Sequence, residues 1–170
     1  MLIRLATFND IPVILQLIAE VVPAMISAGN FQWDKTYPNA EVFERDIVLN
    51  QLWLADDDGA IAGIAAITTD QEPEYALLGW DITEQAIVTH RLAVNNKYRG
   101  KGIGALLLIQ AEKVALNKNI NILRIDANSK NQATQKLFPK LGYQLAGEIT
   151  LSFRPGLLFY CYEKRLNLNF

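Results

Sequence analysis

Apolar residues along this chain recur at two spacings, and the switching between them sets out the elements. Leu2 to Ala6 reads as a short strand. From about Asp10, residues Ile11, Ile14, Leu15, Ile18, Val21, Val22 and Met25 fall three or four apart and predict a helix with one apolar stripe. Thr7 to Asp10 can cap its start, whereas Pro23 inside the pattern predicts a kink or an early end. "SAGNFQWDKTYPNAEVF" reads as a loop leading into a second helix over about Asn39 to Leu49. Gln51 to Ala55 and Ile61 to Thr68 flank "DDDG", a hairpin signal. Ala86 to Val94 predicts a further strand, Gly102 to Leu116 an amphipathic helix and Ile122 to Ala127 a strand. Asn131 to Leu141 predicts a helix ended by Gly142, and Tyr143 to Ile149 and Leu157 to Arg165 two final strands.

The predicted order is β-α-α-β-β-β-α-β-α-β-β. Neighbouring strands without a helix between them imply antiparallel pairing, while the strand–helix–strand unit over 86–127 implies one parallel crossover. The fold class is therefore α+β, or mixed α/β, and not a fully doubly wound sheet.

Composition narrows this picture. The 170 residues suit a single domain over 1–170, with no internal repeat or low-complexity linker. A net charge of -2 gives no general attraction to nucleic acid or an anionic membrane. Cys161 is the only cysteine and His90 the only histidine, so neither an internal disulfide nor a metal centre is expected. "MLIRLATFND" lacks the apolar stretch of a signal peptide, and no segment offers ~18 uninterrupted apolar residues. The expectation is a soluble, cytoplasmic protein.

"VNNKYRGKGIGALLL" changes the picture most. Gly100, Gly102 and Gly104 alternate with Lys97, Arg99 and Lys101 nearby, directly before a helix. A helix start offers unpaired N–H groups and a positive dipole end, and glycines let the backbone approach an anion. This is chemistry for a phosphate. The P-loop pattern fails because Ala105 and Leu106 follow Gly104 where Lys and Ser/Thr are required. A dinucleotide fingerprint is partly met by Gly100, Gly102 and Ala105, with Asp126 near the end of the next strand. However, Asn95 to Arg99 separate the glycines from the strand, and residues 142–170 carry strand patterns only.

"RGKGIG" resembles the Arg/Gln-x-x-Gly-x-Gly/Ala signature of the GNAT acetyltransferase superfamily at Arg99, Gly102 and Gly104. "NQATQKLFPKLGY" resembles that family's downstream block at Asn131, Leu137, Lys140, Leu141, Gly142 and Tyr143, and "IVTHRLAV" its fourth strand. The resemblance implies a twisted, mixed and largely antiparallel sheet of about seven strands flanked by about four helices. It also implies an acetyl-CoA-dependent N-acetyltransferase with acetyl-CoA as cosubstrate and no metal.

Carried over residue by residue, amides from Arg99 through Gly104 (Gly100, Lys101, Gly102 and Ile103 between them) would face the pyrophosphate. Backbone groups of Leu92, Ala93 and Val94 would pair with the pantetheine arm. The N–H near Leu92 would stabilise the thioester oxygen. Asn131 resembles a cofactor contact, and as a residue type it equally suits a helix cap.

The reaction implied is direct attack of an amine on the acetyl thioester. Phe138 stands where family members often place a tyrosine that protonates the leaving thiolate, so it becomes a packing residue against the cofactor arm. Tyr143, Tyr160 and Tyr162 are the other tyrosines available, with Tyr143 the catalytic candidate. His90 is the side chain that ordinarily titrates near neutrality and is the candidate base. Period-two alternation would put it on one face with Leu92 and Val94 unless a bulge intervenes. Glu72, Glu74, Asp81 and Glu84 are weaker candidates.

Phe31, Gln32, Trp33 and Tyr37 would bind the acceptor, a small-molecule or peptide amine, with Gln32 or Asp34 recognising the amine. Neither nucleic acid nor membrane is expected as a partner, and a homodimer stays open. A non-catalytic coenzyme A-binding sensor and a dinucleotide-binding module are the alternative readings.

Overall fold

Seven strands form one sheet among the described residues: β1 (Leu2–Leu5), β2 (Leu52–Asp57), β3 (Ala60–Thr68), β4 (Ile87–Val94), β5 (Ile122–Asn128), β6 (Gln144–Thr150) and β7 (Leu158–Arg165). Their order is β1-β2-β3-β4-β5-β7-β6, and only the β4–β5 pair is parallel. Four α-helices flank the sheet: α1 (Ile11–Ser27), α2 (Ala40–Val48), α3 (Ile103–Asn117) and α4 (Gln132–Lys140). The computed structural model describes residues 1–167. The mixed α+β class, the antiparallel first half and the single crossover through α3 all match the pattern read from the sequence.

The two faces of the sheet bury different helices. Ile103, Leu107, Leu108 and Ala111 of α3 pack with Ala65, Ile67, Ile87, Leu123 and Ile125 on one face. On the other, Ile14, Ile18 and Val21 of α1 and Phe43 and Ile47 of α2 pack with Leu54, Ile64 and Ala66. Beside them Tyr75, Val88, Phe159 and Cys161 form a smaller cluster under a 3-10 turn over Pro73–Leu78. Phe8–Ser27 has a mean hydropathy of 1.6 over its most apolar window, long enough to cross a membrane by length and composition. Its apolar stripe is the one packed on the sheet.

Local chemistry explains most boundaries. Asn39 accepts from the Val42 amide at 3.1 Å and starts α2, and Asn131 accepts from the Thr134 amide at 3.3 Å and starts α4. Asp58 and Gly59, with φ of 51° and 92°, make the tight β2–β3 turn that "DDDG" announced.

The early end expected at Pro23 does not occur: α1 runs through Pro23 to Ser27, as α4 runs through Pro139 to Lys140. Both prolines are exposed, as is Ala19, whose carbonyl Pro23 leaves unpaired, so that carbonyl is open to solvent.

One irregularity positions the site. In the β3–β4 pairing Ala66 opposes His90 and Ile64 opposes Ala93, so Arg91 and Leu92 together face Ala65. This is a β-bulge, with Arg91 at φ 52°. The expected common face for His90, Leu92 and Val94 is thereby overturned. His90 lies on the α1–α2 face with Ala66, while Leu92 and Val94 pack into the α3 face.

Candidate active site

The parallel pairing of β4 with β5 covers only Ile87↔Leu123 and Val88↔Arg124. Both strands then continue, to Val94 and Asn128, without pairing to each other. A narrow cleft of about 50 Å³ opens between them, walled by Thr89, Leu92, Ile125, Ala127, Asn131 and Phe138. Strand edges in this gap leave backbone N–H and C=O groups without a ladder partner, which an extended ligand arm can use.

The glycine turn lies at the end of β4. Asn95 accepts from the Lys97 amide at 3.0 Å and donates to the Ile61 carbonyl at 3.2 Å, fixing the turn to β3. Tyr98 donates to Asp57 at 2.9 Å, and the Lys101 ammonium sits 5.0 Å over its ring. Gly102 is the residue before α3, at φ 79°, and a Cβ there would meet nothing within 4 Å. The turn is thus open on its outer side. Leu106 donates to the Gly102 carbonyl at 3.1 Å, so the amides of Ile103, Gly104 and Ala105 precede the first intrahelical bond. Arg99 and Lys101 are exposed beside them. A Cβ on Gly104 would stand 3.0 Å from Leu137, so the start of α3 touches the α4 wall of the cleft.

On the α1–α2 face a cavity of about 480 Å³ shares His90, Arg91 and Asp126 with the cleft. Trp33, Tyr37 and Phe153 contribute its aromatic wall, and Asp70 and Glu72 stand near the shared end. His90 contacts the Asp70 carbonyl through Nε2 at 3.0 Å. A carbonyl only accepts, so Nε2 carries the proton and, in the neutral ring, Nδ1 is the free base position. Burial pushes the Glu72 carboxyl above its usual range. Burial does the same to Asp126, against an opposing hydrogen bond from the Tyr75 hydroxyl.

Arg91 anchors the bulge. Its Nε and Nη2 donate to the two Asp46 oxygens at 2.7 and 2.8 Å, and Nη1 donates to the Tyr37 hydroxyl at 3.2 Å. Asp46, 1% exposed, also accepts from Gln51 at 2.9 Å. A two-point ion pair between α2 and the strand thus holds Arg91 in its left-handed conformation.

The structure brings His90, Leu92, Asn131 and Phe138 together at the cleft, with Gln32 beside them. Trp33 and Tyr37 line the larger cavity. Phe31 is 56% exposed and lines neither space. Tyr143, Tyr160 and Tyr162 line neither as well. Tyr143 is buried against Phe138, and burial raises the pKa of its hydroxyl well above the usual range.

Sequence reasoning missed Asp46, Arg91, Asp70 and Arg154, and it considered Asp126 only as a ribose partner. Asp46 carried a signal: it lies three residues after Phe43 and beside Ile47, on the apolar face of its helix.

Comparison with known proteins agrees with this geometry. An uncharacterized N-acetyltransferase, YesJ, of Bacillus subtilis (strain 168) is 23% identical over 145 residues, 84% of this chain and 81% of its own. The crystal structure of a GNAT-family acetyltransferase from Streptococcus agalactiae 2603 superposes with a TM-score of 0.82 and 29% identity, covering 98% of this chain and 95% of that one. The structure of yncA, a putative acetyltransferase from Salmonella typhimurium with its cofactor acetyl-CoA, shares the fold at 17% identity and a TM-score of 0.72, covering 100% of this chain and 96% of that one. The family model of GNAT acetyltransferases matches residues 20–143, spanning the splayed strands, the glycine turn and α4. By sequence and fold together, this chain belongs to the acetyltransferase (GNAT) family.

Proposed function

We propose that this protein transfers the acetyl group of acetyl-CoA to a primary amine by direct attack, with both substrates bound at once. One observation carries the reading: the β4–β5 gap adjoins the open glycine turn on one side and shares His90, Arg91 and Asp126 with the 480 Å³ cavity on the other. A long phosphate-bearing thioester fits such a path. The amides of Gly100 and of Gly102 to Gly104 would hold its pyrophosphate, with Arg99 and Lys101 as charge partners, the Lys101 amide itself donating to the Tyr98 carbonyl at 3.2 Å. Along Leu92, Ala93 and Val94 the backbone groups on the edge turned away from β3 would hold its arm, and Phe138 and Asn131 would bound the far wall. The thioester places its carbonyl at the shared end of the two spaces.

An ammonium acceptor first binds among Asp70, Glu72 and Asp126 and loses one proton to His90 Nδ1. The amine lone pair then forms the C–N bond, and the C–S bond breaks with its electron pair going to sulfur. The nitrogen gives up a second proton, and the thiolate takes one up, leaving an amide and a free thiol. The Leu92 N–H, turned by the bulge, is the donor for the carbonyl oxygen. With Phe138 in place of a hydroxyl, water in the cleft returns the proton to sulfur.

The test joins calorimetry with acetyl-CoA to thiol release over an amine panel. Gly102→Val adds strain at a positive φ and fills the open turn, so acetyl-CoA affinity should fall at least tenfold while the fold persists. Undiminished affinity sinks the phosphate assignment. His90→Gln should lower kcat by roughly 10²–10⁴ with an unchanged KM for acetyl-CoA. A variant that keeps full turnover across pH removes His90 as the base. NAD binding without acetyl-CoA binding returns the chain to the dinucleotide reading, and a silent panel to a coenzyme A-binding role.

A further inference from the structure

Charges of both signs line the larger cavity. At the end it shares with the cleft Arg91 is already paired with Asp46, which leaves Asp126, with Glu72 close enough to feel the charge of Asp126 and His90. Two arginines from separate elements, Arg45 of α2 and Arg154 of the loop between β6 and β7, line the cavity but not the cleft. Arg45 has no carboxylate within 4.0 Å among the described residues. Arg154 is held in place: its Nε donates to the Gln32 carbonyl at 2.8 Å, its Nη1 lies 3.2 Å from Asp34, and its guanidinium sits 5.7 Å from the Tyr37 ring centre. Its second terminal nitrogen takes part in neither contact. Asp46 is occupied by Arg91 and offers Arg45 and Arg154 nothing.

From these charges we infer that the acceptor is a small amine carrying a carboxylate, bound with its ammonium toward Glu72 and Asp126 and its carboxylate toward Arg45 and Arg154. The inference rests on the acetyl-transfer reading and adds the acceptor's chemical class. A purely cationic amine would satisfy the acids and leave the arginines facing it. An apolar amine would leave charges of both signs unpaired. A zwitterion satisfies both, and a volume of about 480 Å³ suits a molecule of amino-acid size better than a folded partner. Tyr37, Phe153 and Val42 give the cavity its apolar contact.

Matched pairs test this: the common L-α-amino acids, β-alanine and γ-aminobutyrate, each against its own carboxamide, with spermidine and a tripeptide as further acceptors. Thiol release is measured for each, and calorimetry on the coenzyme A-loaded protein reads binding independently of turnover. At least one carboxylate form should exceed its carboxamide by roughly 10- to 100-fold in kcat/KM, the range of a charge-assisted contact. Arg45→Gln and Arg154→Gln should each collapse that ratio by raising KM for the carboxylate form only, with the KM for acetyl-CoA unmoved. Equal rates within every pair, a preference for spermidine, or turnover confined to the tripeptide overturns the inference. So does calorimetry in which no carboxylate form binds more tightly than its carboxamide. Failure of acetyl-CoA itself to bind is a different result and defeats the acetyl-transfer reading.

Discussion

Replacing Asp46 by Asn keeps its shape and removes its charge at the point where α2 grips the bulged strand. The carboxylate accepts two bonds from Arg91 at 2.7 and 2.8 Å and one from Gln51 at 2.9 Å. An Asn oxygen in the Oδ1 place still serves Gln51 and Arg91 Nη2, but the NH2 then faces Arg91 Nε, donor against donor. Side-chain exposures of 14% for Arg91 and 2% for Asp46 give water little room to replace the pair. Breaking such a pair from one side costs about 3 kcal/mol, because a cation is left buried without its counter-charge. For a domain of this length that corresponds to a Tm lower by about 6–12 °C, readable by thermal unfolding.

A second consequence is local. Arg91 sits at φ 52°, a conformation costing an ordinary L-residue roughly 1–2 kcal/mol, and the Asp46 pair is what offsets it. Without the pair, β4 gains by relaxing toward regular pairing, which swings the Leu92 N–H away from the cleft. Turnover should therefore fall more than the affinity for acetyl-CoA. The double variant Asp46→Leu with Arg91→Met should regain much of the stability but not the turnover, since packing replaces the pair while nothing holds the bulge. A Tm within about 2 °C of the parent, with kcat unchanged, refutes both steps.

Two further outcomes follow from the structure. A Cβ at Gly63 would lie 2.7 Å from Ile103 Cγ2 and 2.9 Å from the Ala93 carbonyl, backbone that cannot swing aside, so Gly63→Ala should cost about 1–3 kcal/mol in urea unfolding; an unchanged midpoint contradicts this close β3–α3 approach. Stability should also depend on pH in two opposed ways. Bonds from Arg4 hold the Asp10 carboxyl down to about 2, so its contribution is full above the unfolded value near 3.8 and is lost as pH falls toward 2. Burial holds Glu72 up, so that group favours the fold at low pH and costs stability as pH rises through its folded value. Glu72→Gln should thus gain on the parent as pH rises above the ordinary glutamate value, and Asp10→Asn should lose its deficit as pH falls from 3.8 toward 2. Parallel pH profiles for parent and variants would refute both assignments.

What the sequence disclosed and what it withheld divide along a physical line. The element order, the antiparallel first half, the β4–α3–β5 crossover and the Asn131 cap rest on contacts within a few residues, or on periodicities that run the length of one element. The glycine turn was legible for the same reason. The Arg91–Asp46 pair joins residues 45 apart, and Arg154 reaches Gln32 across 122. Pairings of that range leave no local trace beyond an acid on an apolar helix face. The bulge was invisible because period-two reading presumes an unbroken ladder, and a positive φ at arginine has no composition signal. Pro23 misled because a helix breaker acts through its missing hydrogen bond, and an exposed position lets water supply the substitute.

The departures from regularity and the proposed chemistry coincide, and the sheet explains why. A strand fully paired on both edges offers a ligand no backbone. β4 keeps its pairing to β3 and gives up its pairing to β5 after Val88, so one edge becomes available without loosening the core. The bulge then places His90 and Arg91 on the α2 face and leaves Leu92 on the α3 side, letting one strand address an acceptor cavity and a cofactor cleft at once. A regular strand would have sent His90, Leu92 and Val94 to a single face and served only one of them. The buried Asp46 carboxylate, costly in isolation, is the element that makes this irregular strand the stable one.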